Sequence, residues 1–152
     1  MNSDLKHVYR VNIQAAPEKV WQALTNSEYT AKFWYGSAIS SDWKAGSEYK
    51  LTTPDGSNVF IHGKVLEADP PRRLVQTYKT NWPPFDTEKE TTMTWELEPV
   101  GDGTKLTLTH EGFQEGSRLY EQLGTPAGWA HVVNGLKSVV ETGQPAAAPA
   151  GS

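Results

Sequence analysis

The sequence contains no cysteine. Disulfides, thiolate metal sites and cysteine nucleophiles are therefore excluded. It also lacks any apolar run near the ~18–20 residues that a transmembrane helix needs, so membrane insertion is not expected. The first residues, Met1 to Lys6, carry neither the basic nor the apolar region of a secretory signal, which makes the cytoplasm the expected location. A basic excess is missing too: 14 Lys and Arg against 18 Asp and Glu give a net charge of −4. The densest basic stretch, Lys64 to Arg73, is diluted by Glu67 and Asp69, and nucleic acid is not an expected partner. No glycine-rich phosphate loop is found, because Gly101-Asp102-Gly103 reads as a hairpin turn. A G-x-S-x-G nucleophile elbow is likewise absent.

What is present is a chain of 152 residues, long enough for one domain with a real core. With 37% hydrophobic and 21% charged residues, it does not have the composition of a disordered protein. Six tryptophans and six tyrosines stand out. Such side chains bury large areas and also line binding cavities.

Period-two alternation begins at once. Tyr9, Val11, Ile13 and Ala15 share one face of a first strand. Pro17 and Glu18 suit a helix start, and Val20, Trp21 and Leu24 follow at helical spacing. Ser27 is placed to cap a second short helix running to Phe33-Trp34. Alternation then returns in Glu48–Thr53, after which Pro54 to Ser57 form a turn. On the next strand Val59, Ile61 and Val65 share the inward phase, and Gly63 suggests a bulge or bend. Leu74, Gln76 and Tyr78 alternate on the strand after Asp69-Pro70-Pro71. Met93, Trp95 and Leu97 do so on the next, which a hairpin joins to Thr104–His110. A short helix is expected over Ser117–Leu123. Thr125-Pro126 would then start a longer one with an apolar stripe of Trp129, Val132, Val133, Leu136, Val139 and Val140, stopped by Gly143. The Pro/Ala/Gly/Ser tail 144–152 has nothing to bury and is expected to be disordered. The fold class is α+β: an antiparallel sheet of about six strands, two short helices after the first, and a long C-terminal helix covering the apolar face.

The stretch Thr109-His110-Glu111-Gly112-Phe113 puts a histidine beside a glutamate, an apparent acid–base pair. Successive strand residues point to opposite faces, so His110 turns inward with Leu106 and Leu108 while Glu111 turns out. His110 then stands alone as an inward polar group, with Gln76 and Thr53 as the others. His7 lies in the inward phase of the first strand, where it approaches His110 if that strand pairs with the last. Two histidines without a third ligand make a poor zinc site, and no metal or other cofactor is expected. Trp82–Phe85 and Phe33-Trp34-Tyr35 are candidates either for plugs at the sheet ends or for the mouth of a cavity. Trp129 reads as a core anchor.

Four stretches in order, IQAAPEKVWQALTNSEYTAKFW, GKVLEADPPRRLVQTY, TWELEPVGDGTKLTLTHEGF and GWAHVVNGLKSVVETG, resemble the domain family of the activator of the heat-shock-protein-90 ATPase. That family belongs to the START-like (SRPBCC) helix-grip superfamily, and the resemblance spans residues 7 to 143 as a single domain. It implies a curved antiparallel sheet wrapped around the C-terminal helix, with a cavity for apolar ligands. The superfamily includes lipid carriers, polyketide binders, aromatase/cyclases and co-chaperone domains, so the resemblance bears on fold more than on function. The eukaryotic co-chaperone also has an N-terminal domain that contacts the chaperone. No counterpart precedes the first strand of this sequence, so direct ATPase activation is not expected. The expected function is binding of a small hydrophobic or aromatic molecule between sheet and terminal helix. Its expected lining is Tyr49, Ile61, Gln76, Tyr78, Met93, Trp95, Leu108, His110, Val133 and Leu136. The alternatives are a cyclase- or hydrolase-type enzyme using His110, and a stress-response or co-chaperone-type module that binds a chaperone or a second copy of itself.

Overall fold

A computed structural model describes residues 5–34, 36–81, 85–126 and 128–143. Tyr35, Trp82 and the tail 144–152, which carry expectations given above, lie outside the described residues.

The chain runs β1 (Lys6–Ile13), α1 (Pro17–Thr25), α2 (Ser27–Phe33), β2 (Ala38–Ser41), β3 (Glu48–Thr52), β4 (Val59–Asp69), β5 (Arg73–Thr80), β6 (Thr91–Val100), β7 (Gly103–Glu111), α3 (Arg118–Leu123) and α4 (Trp129–Thr142). The strands form one antiparallel sheet in the order β1-β7-β6-β5-β4-β3-β2. Alternating apolar residues give the sheet one buried face. The apolar stripe of α4 and the two N-terminal helices lie against that face, which is the helix-grip arrangement. Among the described residues no helix is long and apolar enough to cross a membrane.

The sheet has seven strands where the sequence pattern gave about six. The extra strand is β2, whose Ala-Ile-Ser-Ser carries one large inward side chain, Ile39, too little for a period to register. Its edge is held from outside: the Thr30 hydroxyl of α2 donates to Ser37 O at 3.0 Å and accepts from the Ile39 N–H at 3.2 Å. Two helix starts are also corrected. α2 is capped not by Ser27 but by Asn26, whose side chain accepts from Glu28 N. α4 begins after Gly128, because Thr125 is absorbed into a turn in which its hydroxyl donates to Gln122 O and its carbonyl accepts from Gly128 N. The expected stop at Gly143 is found, in a left-handed conformation (φ 78°) that suits glycine.

β4 bends where the sequence suggested. A Cβ on Gly63 would sit 2.3 Å from the Thr77 carbonyl oxygen, so only glycine permits that approach. Ladder pairing to β5 lapses at Gly63 and Lys64. There the Thr77 hydroxyl accepts from Lys64 N–H at 2.8 Å, while the Tyr49 hydroxyl donates to Thr77 O at 2.5 Å. A second irregularity lies opposite Leu51 and Thr52, which pair with Ile61 and Val59 and leave Phe60 unmatched. The extra residue turns Phe60 as well as Ile61 toward the interior. Val59, expected inward, is only half-buried and borders an open groove instead. Thr53, also expected inward, lies in the turn after β3, where its hydroxyl bonds Asp55.

Candidate functional site

Register sets the inner face of the sheet. His7 lies opposite His110, His110 opposite Met93, Met93 opposite Gln76, and Gln76 opposite Val65. His110 is fully buried whereas Glu111 is exposed, so strand parity separates the pair as expected. The indole N–H of Trp129 donates to His110 Nδ1 at 2.9 Å. An indole nitrogen has only a proton to offer, so Nδ1 must be the acceptor and the ring proton must lie on Nε2. That proton points to Thr91 Oγ1 at 2.6 Å, and the Thr91 hydroxyl passes its own proton to Tyr78 O at 3.2 Å. Trp129 Nε1, both His110 ring nitrogens and Thr91 Oγ1 are all satisfied with the imidazole neutral. Desolvation first, and the nearby His7 second, hold the His110 pKa well below its ordinary value.

Aromatic rings enclose this histidine, with Tyr78 at 4.6 Å and Phe113 at 4.4 Å between ring centres. Beside them Trp34, Trp95 and Trp129 form a cluster of edge-on contacts at 5.5 to 6.2 Å. His7 does not join His110 in a site. It stacks on Tyr120 at 4.3 Å, and its Nε2 bonds Tyr120 O. Among the described residues no group of three histidines or carboxylates could hold a metal ion.

A cavity of about 360 Å³ opens between the sheet, α3 and the first turn of α4. Trp34, Phe60, Ile61, Tyr78, Phe85, Gln122, Leu123, Gly128, Trp129 and Val132 border it. No charged side chain is among them. Of the residues expected to line a pocket, Ile61 and Tyr78 border this cavity, together with the suspected mouth residues Trp34 and Phe85. Gln76, Met93, Trp95, Leu108, His110, Val133 and Leu136 are buried in the surrounding core. Tyr49 is buried and touches the outer groove instead. That groove, about 990 Å³ and open, mixes Asp42, Glu48 and Glu90 with Lys50, Lys64 and His62, a lining that hydrates as readily as it binds. Gln76 Nε2 has no hydrogen-bond partner despite its burial.

Sequence reasoning missed the contribution of α3, of Phe60 and of Val132. Phe60 had no signal, because its inward turn depends on the bulge. It also missed Glu88, whose buried carboxylate accepts from the Ser117 hydroxyl, from Arg118 N at 2.9 Å and from Leu119 N at 3.0 Å.

The family model described as Activator of Hsp90 ATPase homolog 1-like protein matches residues 14–141. No curated protein matches. The solved Aha1 dimer from Colwellia psychrerythraea is 27% identical, covering 91% of this chain and 97% of that one with a TM-score of 0.71. MLL2253 from Mesorhizobium loti is 25% identical over 89% of this chain and 96% of its own, with a TM-score of 0.72. CalU16 from Micromonospora echinospora shares the fold at 21% identity, covering 93% of this chain and 76% of that chain, with a TM-score of 0.70. A helix-grip fold, with a family match across nearly all of it, makes this chain a member of the Activator of Hsp90 ATPase homolog 1-like family.

Proposed function

We propose that the chain binds a small, uncharged, hydrophobic or aromatic molecule in the cavity between the sheet, α3 and α4. The observation that carries this reading is the lining: five aromatic rings (Trp34, Phe60, Tyr78, Phe85 and Trp129) around about 360 Å³, without a single charge. A cavity of that size falls in the range that holds small ligands. An ionic ligand would enter desolvated and unpaired, so a neutral one is favoured. Catalysis through His110 is the weaker reading, because both ring nitrogens are occupied and the ring is buried outside the cavity lining.

The test is titration with the neutral fluorophore N-phenyl-1-naphthylamine, alongside native mass spectrometry of freshly purified protein. Wild type should bind the probe at micromolar concentration, and Val132→Phe, which fills the cavity, should weaken binding by about tenfold or more. Equal binding by both proteins, or none by wild type, would sink the reading. The Colwellia relative was solved as a dimer, and that supports self-association as a second reading, which sedimentation equilibrium measures directly.

A further inference from the structure

The lining residues that reach the surface are Phe60 of β4, Phe85 and Gln122, so they set the mouth of the cavity, and the last two come from segments distant in sequence. Residues 85–90, just before β6, bring Phe85, and α3 brings Gln122 and Leu123. The first segment is fastened to the sheet: the Thr80 hydroxyl donates to Phe85 O at 2.6 Å, and Lys79 Nζ donates to Asp86 O at 2.8 Å. α3 has a different footing. It is six residues long and so has little internal hydrogen bonding of its own. Glycines flank it on both sides: Gly112 and Gly116 in left-handed conformations (φ 92° and 77°) before it, and Gly124 as its C-cap.

What joins the two segments is Glu88. Its carboxylate takes the Ser117 hydroxyl and the first-turn N–H groups of Arg118 and Leu119, while Ser117 Oγ in turn accepts from Tyr120 N at 2.9 Å. A lesser tie runs from Lys89 N to Gln114 Oε1 at 3.3 Å. With Glu88 at 7% exposure, these bonds form out of water, where charged acceptors are strongest. α3 is also held to β1, where His7 stacks on Tyr120 and bonds its carbonyl, so breaking the Glu88 bonds frees the first turn of α3 to move away from residues 85–90 about that anchor.

We propose that Glu88 is the latch of the cavity mouth and sets the rate at which a ligand enters and leaves, an inference that rests on the cavity reading above. Removing the latch lowers the barrier in both directions while leaving in place the walls that the sheet and α4 contribute. Rates change, therefore, far more than affinity.

Stopped-flow mixing with N-phenyl-1-naphthylamine tests this on wild type, Glu88→Gln and Glu88→Ala. In Glu88→Ala, association and dissociation should both accelerate about ten- to a hundredfold, with Kd shifting about threefold or less. Glu88→Gln, which keeps one acceptor oxygen, should fall between. Hydrogen exchange on Glu88→Gln provides a readout should the alanine variant fold poorly. Faster exchange confined to residues 85–90 and 114–123 is the expected pattern. Unchanged rates in a folded Glu88→Ala, or exchange that rises uniformly over the sheet, would overturn the latch. Failure of wild type to bind the probe at all would instead overturn the cavity reading, and with it the gating role.

Discussion

His110 carries the clearest lesson at the scale of one residue. Its inward direction was legible from strand parity alone, since Leu106 and Leu108 fix the phase and Glu111 falls on the other face with Lys105, Thr107 and Thr109. What it does there was not legible, because Trp129 and Thr91 reach it from α4 and β6, nineteen positions away on either side. Those two bonds require the neutral ring: a proton on Nδ1 would confront the indole N–H. The unfolded chain, with an ordinary histidine, takes up that proton near pH 6.5. Because the folded value is depressed, the unfolded state binds more protons as pH falls below about 6.5, and stability drops from there down to the folded value. Urea unfolding followed by tryptophan fluorescence should thus show wild type losing stability between pH 7 and 5 at a slope approaching about 1.4 kcal/mol per pH unit. His110→Gln, which can still accept from Trp129 and donate to Thr91, should lose that component of the slope. An identical pH profile in the two proteins would contradict the neutral, buried ring.

At the scale of elements, legibility followed the number of apolar residues that an element turns inward. α4 presents six of them at helical spacing and was plain. β2 presents Ile39 alone and was invisible, although Thr30 holds it firmly. Glu88 failed for a related reason. Within Asp86-Thr87-Glu88-Lys89-Glu90 it looks like any solvated carboxylate, and its partners at 117–119 are joined to it only by the fold. Gly135 is a middle case, a glycine inside a helix where alanine would be favoured by about 1 kcal/mol. Its reason is tertiary, since a Cβ there would lie 3.0 Å from Phe33 Cβ and 3.4 Å from Phe33 Cα. α2 and α4 therefore cross almost backbone to backbone, which brings Trp34, the residue after α2, up against Trp129. Gly135→Leu should force the helices apart and cost about 1–3 kcal/mol in urea unfolding, in line with other overpacked cores. It should also disturb the edge-on contact of Trp34 with Trp129, visible in near-ultraviolet circular dichroism. A loss under about 0.5 kcal/mol with an unchanged aromatic spectrum would show that α2 is not held so close.

For the whole molecule, the cavity is largely apolar volume that the side chains leave unfilled, and this has a thermodynamic signature. Unfilled apolar volume lowers stability, because the lining atoms lack neighbours on one side. Val132→Phe places a ring in that space from the first turn of α4, where Val132 already borders it. If the cavity exists to hold a ligand, the variant should gain about 0.5–2 kcal/mol as an empty protein and lose the ability to bind the probe. Wild type should then show the converse behaviour, since a ligand that binds only the folded state adds about 2.7 kcal/mol at a hundred times its Kd. Thermal unfolding with increasing N-phenyl-1-naphthylamine should raise the wild-type midpoint progressively and leave that of Val132→Phe flat. The two curves should cross, with the variant more stable without ligand and wild type more stable with enough of it. Parallel responses in both proteins would mean that the probe binds elsewhere. A variant less stable than wild type in the absence of probe would mean that the space cannot accept a ring, and that the site is smaller than its 360 Å³ suggests. Crossing curves are hard to obtain any other way. They require one volume both to weaken the empty fold and to be the place where the ligand restores it.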